Sequence, residues 1–463
     1  MKKKWPLAVL VVAILALSLP LSNLVVGLPS PTLKDMETDD PTFQRALDIL
    51  AAKCVNCHTE EYTLPFYANF PIARGIIEHD IHEGTRYVNY IEEIDVNAEP
   101  PISEVMLAKT EQTILESTMP PTRYTALHWD GGLNSQERED LLAWIHEVRA
   151  EYFASGYAAP EFANEPVQPL PTSVELDEAK VALGDQLFHD TRLSRDNSVS
   201  CASCHDIAMG GTDQLQFAVG INDQVGAINS PTVFNADFQF LQFWDGRAAD
   251  LEEQADGPVS DPIEMDSSWE EAARKLIQDE TFTEAFTAVY PNGYNRDNFV
   301  DAIAEFERSL ITPNARFDQY LMGDTSAMTP EEVRGYDLFK RYDCATCHVG
   351  VIMGGQSFEE MGRKDDYFGD RGDVGADDGG RYNVTGDEAD RHHFKTPTLR
   401  NIALTFPYMH DGTVETLEES VDIMAQYIVG RRMSTSDRDY IVAFLHTLTG
   451  EYQGVPLDQL SDE

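Results

Sequence analysis

The pattern Cys-x-x-Cys-His occurs three times, at residues 54–58, 201–205 and 344–348, and it uses all 6 cysteines of the chain. Two thiols at this spacing can form thioethers to a haem, and the histidine that follows can bind the iron from one side. A structural zinc site would need four ligands from paired motifs, and a disulfide framework does not place a histidine after every second cysteine. The motifs therefore predict three covalently bound haems c. Their predicted binding residues are Cys54, Cys57, His58, Cys201, Cys204, His205, Cys344, Cys347 and His348, and the three histidines are predicted iron ligands.

The first residues indicate export, which agrees with the motifs because haem is joined to such cysteines outside the cytoplasm. Lys2, Lys3 and Lys4 precede an apolar run over residues 5–26. Its length of about twenty residues suits a bilayer span, and the preceding charges would leave the rest of the chain in the periplasm. We expect residues 1–30 to be a signal anchor in the inner membrane; a cleaved signal peptide, cut before Leu28, is the alternative.

The charge balance excludes one class of partner. Lys plus Arg total 34 against 80 Asp plus Glu, a formal net charge of −46. Such a chain repels a phosphate backbone, so we expect no nucleic acid partner. The acidic residues are spread along the chain, which favours a solvated surface over one acidic docking patch.

The chain is predicted to be mainly α-helical, with three cytochrome c-like domains at 31–165, 166–322 and 323–463. Apolar residues at helical spacing predict a core-facing helix in each domain. These stripes are Leu141, Trp144, Ile145 and Val148; Phe299, Ile303, Phe306 and Leu310; and Ile441, Phe444, Leu445 and Leu448. Asn134 with Glu137, and Ser434 with Asp437, are predicted helix caps. The proline-rich segment 160–171 is predicted to be a linker, and the Asp- and Gly-rich segment 365–380 a solvated loop.

Several short segments resemble the bacterial di-haem cytochrome c peroxidases. They read SCASCH at 200–205, NSPTVFN at 229–235, FWDGRA at 243–248, LEEQ at 251–254, PTLRN at 397–401 and HDG at 410–412. The resemblance covers about the last two thirds of the chain. It implies a peroxidatic haem at His205 and a high-potential haem at His348 that supplies it with electrons.

The resemblance also implies roles for single side chains. Glu264 and Gln254 would line the open side of the haem at His205, where a carboxylate can move a proton between peroxide oxygens and an amide can orient the ligand. Trp244 would lie between the two haems. Met424 would be the second ligand of the haem at His348, and a thioether opposite histidine raises the reduction potential.

A calcium site between the two peroxidase domains is also implied by the resemblance. The family binds calcium through one asparagine side chain and two main-chain carbonyls, which correspond here to Asn229, Thr405 and Pro407. Oxygen donors of this kind suit Ca²⁺. The family forms dimers, so a homodimer is expected as well.

The chain departs from the family at one loop. Many members carry a histidine after the peroxidatic motif that blocks the oxidised iron until the second haem is reduced. This chain has Ile221 and Asn222 there, and it has no histidine between His205 and His348. We hypothesise that the peroxidatic iron is open even when fully oxidised; Met209 is the nearest rival ligand.

The first domain contains CVNCH at 54–58, TMPPTRY at 118–124 and His128. With these segments it resembles the extra haem domain of membrane-attached tri-haem peroxidases, including quinol peroxidases. The second iron ligand of its haem is expected to be Met119, which is followed by Pro120, with His79 and His82 as alternatives.

The expected function is reduction of hydrogen peroxide with electrons from a quinol or a small c-type cytochrome. The alternatives are a tri-haem electron carrier and a haem-based oxidase of a protein or small molecule. Met424 argues against the oxidase, because the family branch that resembles the methylamine dehydrogenase maturation enzyme has a tyrosine at the position of Met424.

Overall fold

A computed structural model describes residues 17–18, 20–23, 33, 36–60, 62 and 64–460. The predicted signal or anchor segment at 1–30 therefore lies outside the described residues, apart from 17–18 and 20–23. Among the helices that are described, none combines the length and the apolar character needed to cross a membrane.

The chain forms two compact units, Met1–Phe153 and Ala154–Glu463. The first unit is helical. Its helices are α1 (Pro41–Lys53), α2 (Pro71–Tyr87), α3 (Tyr90–Glu93), α4 (Glu104–Glu116), α5 (Thr122–Thr125) and α6 (Ser135–Val148), and a π-helical turn over Arg149–Phe153 follows α6.

The second unit is also mainly helical and has two small antiparallel sheets. Its helices are α7 (Glu178–Phe188), α8 (Leu251–Ser260), α9 (Trp269–Leu276), α10 (Glu280–Val289), α11 (Arg296–Ser309), α12 (Arg316–Leu321), α13 (Pro330–Arg341), α14 (Tyr367–Arg371), α15 (Tyr382–Thr385), α16 (Leu417–Ile423) and α17 (Thr435–Leu445). Strand β1 (Phe358–Glu360) pairs with β2 (His393–Lys395), and β3 (Glu451–Tyr452) pairs with β4 (Val455–Pro456). The second and third haem motifs form short 3₁₀ turns, Cys201–Ser203 and Cys344–Thr346.

Each haem motif follows a helix that packs against a later helix of the same unit. These pairs are α1 with α6, α7 with α11, and α13 with α17. Glycine allows the second and third pairs to approach closely, because a side chain at Gly184 would collide with the backbone of Ala302 and one at Gly335 with that of Tyr440. The same local arrangement therefore recurs around each motif.

The predicted apolar stripes and caps are confirmed. Asn134 and Glu137 form a reciprocal capping box at the start of α6, and the Ser434 side chain accepts a hydrogen bond from the Asp437 backbone N–H. The stripe residues are buried, with Trp144 and Phe444 fully enclosed. Burial of each large apolar side chain contributes about 1.5–3 kcal/mol, so these stripes form the cores that hold the helix pairs together.

The predicted solvated loop at 365–380 is wrong in part. It contains α14, and both aromatic residues of that helix, Tyr367 and Phe368, are only 5% exposed. Asp378 is buried as well, because Arg371 pairs with it at 2.6 Å and so compensates its charge. Two aromatic side chains and an internal ion pair are sufficient to fold this acidic segment back onto the core.

The proline-rich segment 160–171 is part of the second unit and not a free connection. Val167 and Leu170 are completely buried. The Gly350 backbone N–H donates to the Pro166 carbonyl at 2.8 Å, which fixes this segment beside the third haem motif.

Candidate functional site

The three motif histidines share one hydrogen-bond pattern. Nδ1 of each ring donates to a backbone carbonyl: His58 to Val88 at 3.0 Å, His205 to Gly211 at 3.3 Å, and His348 to Met353 at 3.0 Å. With its proton on Nδ1, each ring presents the lone pair of Nε2, which is the form that binds a metal. Burial lowers the pKa of all three histidines, which favours this neutral form. The donor set therefore fits a haem iron at each motif.

One cavity brings together the residues predicted for the third haem. Cys344, Cys347, His348 and Met424 all line it. Met424 begins a π-helical turn, Met424–Val429, directly after α16. Such turns within helices are frequent at functional sites, because they redirect one side chain without breaking the helix. An imidazole nitrogen and a thioether sulfur on one cavity are the kinds of ligand that raise the reduction potential of a haem, so the lining fits the predicted haem.

The same cavity reaches Trp244 and the three predicted calcium ligands. Trp244, Asn229, Thr405 and Pro407 line it. Nε1 of Trp244 donates a 3.0 Å hydrogen bond to the backbone carbonyl of Asn229. The Asn229 side chain donates through Nδ2 to the Leu215 carbonyl at 2.9 Å, so its Oδ1 remains available as an acceptor or ligand.

Glu264 lies beside the second haem motif. Burial raises the pKa of the Cys204 thiol to about 12, and the carboxylates of Asp213 and Glu264 add to this effect. Glu264 itself is exposed by surface area, yet protein atoms surround its carboxyl closely enough to raise its pKa by burial. A carboxyl that water can reach is still poorly solvated when protein atoms crowd it. Arg247 acts in the opposite direction and lowers the pKa of Glu264.

The loop after the second motif is hydrogen-bonded to the backbone of Glu264. The Ile221 backbone N–H donates to the Glu264 carbonyl at 2.8 Å, and the Ile221 side chain is completely buried. A side chain at Gly220 would come within 2.1 Å of the Ile263 carbonyl oxygen, so only glycine permits this contact. The loop after the second motif is therefore held against the Glu264 segment, and its isoleucine is buried.

Gln254 is half-buried on α8, and Glu264 follows four residues after the end of that helix. Asp250 caps α8 by accepting the Glu253 backbone N–H at 2.8 Å. One capped helix and the turn that follows it therefore position both residues. Met209 lies in a separate turn, Ile207–Met209, and is half-buried.

Sequence reasoning missed Arg247, which acts on the Glu264 carboxyl, and Phe243, on which Arg247 stacks. Phe243 has a φ of 68°, an unusual conformation for a bulky residue, and its ring packs near Gly257 of α8. The Arg247 guanidinium stacks on the Phe243 ring with its central carbon 3.5 Å from the ring centroid. Strained aromatic residues of this kind often occur at functional sites. Both residues belong to the FWDGRA segment, so the resemblance could have indicated them.

A buried ionic cluster borders the cavity at His410. Nε2 of His410 donates to Asp378 Oδ1 at 2.7 Å, and the His410 ring stacks on Phe394 at 4.2 Å between centroids. Burial alone would raise the pKa of Asp378, but Arg371, the Gly375 N–H and His410 hold this pKa at about 2. Arg371 also pairs with Asp411, so its guanidinium compensates the charges of both carboxylates, Asp378 and Asp411.

In the first unit, the three candidate second ligands of the haem are all exposed. Met119 is 40% exposed, and His79 and His82 are exposed on α2. His128 is buried, but both of its ring nitrogens are engaged: Nε2 with the Tyr67 hydroxyl at 2.9 Å and Nδ1 with the carbonyl of its neighbour Tyr124 at 3.1 Å. His128 therefore has no free nitrogen for an iron in this structure.

The chain is similar to several known proteins. A family model described as di-haem cytochrome c peroxidase matches residues 178–326, and one described as a haem-binding domain matches residues 24–147. Cytochrome c peroxidase Ccp of Escherichia coli (strain K12) is 49% identical over 402 residues, which are 86% of this chain and 86% of that protein. Cytochrome c551 peroxidase of Nitrosomonas europaea is 43% identical over 290 residues, 62% of this chain and 85% of that protein.

A solved structure supports the fold. The crystal structure of a MauG-like protein associated with microbial copper homeostasis matches with a TM-score of 0.55 and 29% identity, over 61% of this chain and 93% of that chain. The E. coli relative is matched over most of its length at high identity. The chain therefore belongs to the di-haem cytochrome c peroxidase family, with an additional haem-binding domain, and it is a haem-dependent peroxidase.

Proposed function

We propose that this chain reduces hydrogen peroxide in the periplasm, through three haems c, with electrons from a small c-type cytochrome or a quinol. The reaction is H₂O₂ + 2 e⁻ + 2 H⁺ → 2 H₂O. The observation that carries the proposal is the position of Glu264, a carboxyl with a raised pKa beside the thiols of the second motif. A simple electron carrier has no need of an acid–base group there.

Glu264 handles the protons of the reaction. When bound at His205, the haem supplies the iron that binds peroxide and accepts or donates its electrons. The Glu264 carboxylate takes a proton from one oxygen of hydrogen peroxide and returns it to the other oxygen, which leaves as water. The Gln254 amide orients the peroxide by hydrogen bonding. Arg247 favours the deprotonated carboxylate that starts this cycle.

The loop at 219–226 leaves the peroxidatic site open in the oxidised protein. Its hydrogen bond from Ile221 to the Glu264 backbone and its buried isoleucine supply no iron ligand. Peroxide can therefore bind without prior reduction of the second haem. This distinguishes the chain from relatives that carry a histidine in the loop.

Electrons enter at the first haem, pass to the haem at His348 and Met424, and reach the haem at His205. Met119 is the proposed second ligand of the first haem, because it lies on the short proline-containing connection between α4 and α5, with His79 and His82 on α2 as the alternatives. Domains 31–165, 166–322 and 323–463 would each hold one haem. The segment 1–30 would anchor the chain to the inner membrane, within reach of a quinol pool, and the working form would be a homodimer.

Calcium would bind at Asn229, Thr405 and Pro407. These residues contact the same cavity as Trp244, and Asn229 accepts the Trp244 hydrogen bond through its backbone. A hard oxygen-binding cation suits the Asn229 side-chain oxygen and two backbone carbonyls. The ion would fix the residues that separate the second and third haems.

The proposal is tested with the haem-loaded full-length chain. Mass spectrometry of its peptides should show one haem on each of the three motifs, and the protein should consume peroxide when a reduced small cytochrome is supplied. Cyanide should bind to one haem only. Haem on every motif with no cyanide binding and no peroxide consumption would identify a tri-haem electron carrier, and haem on two motifs would remove the proposed entry point.

A further inference from the structure

A single lysine is buried in the wall of the cavity at His348. Lys395 ends strand β2 and is 5% exposed. Its Nζ donates to Oε1 of Gln239, and its backbone N–H donates to the Trp244 carbonyl at 2.8 Å. An ammonium group carries three N–H donors and a full charge, and burial of that charge is costly without an anion.

Two carboxylates, Asp343 and Glu359, line the same cavity, but neither forms an ion pair with Lys395 in the part of the chain that the structure describes. Among the residues that the structure describes, no ion pair involves Lys395, and Gln239 is a neutral acceptor. Burial lowers the pKa of Lys395 to about 8, with no carboxylate acting against it. Arg400, the other buried cation among the described residues of this unit, is compensated, because it pairs with Asp318 at 2.7 Å.

Lys395 is also the only lysine or arginine among the described residues that line this cavity. This is notable in a chain with a net charge of −46. A haem c carries two propionate groups, which need a cation or hydrogen-bond donors when they are enclosed by protein. The cavity that holds the third motif therefore offers one buried cation to a cofactor with two carboxylates.

We propose that Lys395, oriented by Gln239, binds a propionate of the haem attached at Cys344 and Cys347. The inference rests on the proposed haem at the third motif. A positive charge beside a haem favours the reduced iron, so Lys395 would act together with Met424 to raise the reduction potential of this haem. The Lys395 backbone N–H also donates to the Trp244 carbonyl. Lys395 would therefore fix the position of the haem propionate relative to Trp244, the residue proposed to lie between the second and third haems.

The test is a redox titration of the Met424-ligated haem in haem-loaded full-length protein. In Lys395→Met, the ratio of reduced to oxidised haem at a fixed potential should fall about tenfold, a shift of 59 mV for one electron. Lys395→Arg keeps the charge and should retain most of the wild-type potential. Lys340→Met is the matched control, because it removes a partly exposed lysine paired with Glu165 in the same unit, and it should leave the potential unchanged.

Gln239→Glu provides a second and independent test if Lys395→Met fails to fold. The new carboxylate would pair with Lys395 inside the protein and withdraw its charge from the propionate, so the potential should fall in this variant too. Unchanged potentials in both Lys395→Met and Gln239→Glu, with haem present on the Cys344–Cys347 peptide, would overturn the inference. Absence of haem from that peptide in the wild type would instead contradict the proposed three-haem function.

Discussion

The Trp244 indole and the Asn229 backbone are joined by a 3.0 Å hydrogen bond from Nε1 to the carbonyl oxygen. Asn229 in turn donates its own backbone N–H to the His410 carbonyl at 2.8 Å. These bonds link the proposed electron-transfer tryptophan to the proposed calcium site and to the loop at His410. The orientation of Trp244 therefore depends on residues that are far apart in the sequence.

Trp244→Phe should slow peroxide turnover and destabilise the protein by about 1–2 kcal/mol, because it removes a hydrogen bond and leaves the Asn229 carbonyl without this donor. Stopped-flow reoxidation of the third haem after peroxide addition and thermal unfolding measure the two effects. Trp129→Phe, at a tryptophan that is 52% exposed in the first unit, is the control. Equal reoxidation rates in wild type and Trp244→Phe would show that the indole has no part in electron transfer.

Glu264→Gln should lower kcat for peroxide reduction by about 10²–10⁴-fold, the usual contribution of a general acid–base group. Burial raises the pKa of Glu264, so wild-type turnover should fall as the pH drops through a value above 4.5, the ordinary pKa of a glutamate. The variant should lose this acid limb, since an amide does not titrate. The exposed Glu284→Gln is the matched control, and a pH profile of Glu264→Gln that keeps the limb would assign it to another group.

Calcium removal should destabilise the wild-type protein and slow its turnover. A site that is saturated one hundredfold above its dissociation constant contributes about 2.7 kcal/mol. Thermal unfolding with and without a chelator measures this contribution. Asn229→Ala should already be destabilised and insensitive to the chelator, whereas the exposed Asn383→Ala should respond like the wild type. A chelator effect of equal size in Asn229→Ala would place the ion elsewhere.

Glu307→Gln should stabilise the protein at alkaline pH. Glu307 is 5% exposed on α11, its Oε2 has no hydrogen-bond partner among the residues that the structure describes, and burial raises its pKa to about 8. The folded state thus holds the proton more tightly than the unfolded state, so stability is full below about pH 4.5 and is lost as the pH rises towards 8. Above pH 8 the amide should be more stable than the carboxylate by about 1–3 kcal/mol, the usual penalty of a buried unpaired group.

Thermal unfolding of haem-loaded wild type and Glu307→Gln at pH 5 and pH 8.5 tests this expectation. The difference should be small at the lower pH and large at the higher one. A difference that does not change with pH would mean that Glu307 remains ionised in the folded protein.

The sequence predicted the features that are local in the chain. The three motifs, the stripes and the caps each depend on residues a few positions apart, and the caps and stripes are confirmed. The roles of Glu264, Met424 and Asn229 came from resemblance, because a single carboxylate, thioether or amide carries no signal of its own in a chain with 80 acids and 13 methionines. The structure places Met424 and Asn229 on one cavity, and their roles stay predictions.

Contacts between distant segments could not be predicted. Lys395 meets Gln239 across 156 positions, and His410 meets Asp378 across 32. Neither pair has a spacing that indicates contact, since only the three-dimensional fold sets it. The folding of Tyr367 and Phe368 onto the core was missed for a related reason, because the acidic and glycine-rich composition around them is typical of a loop.

The most direct test of the account is to mix hydrogen peroxide with the fully oxidised, haem-loaded protein and to follow its haem absorption in rapid mixing. If the site beside Glu264 is open, as the buried Ile221 and its closed loop indicate, the spectrum of one haem should change promptly without prior reduction. If nothing changes until the protein is partly reduced, another residue blocks the iron and the open-site account is wrong.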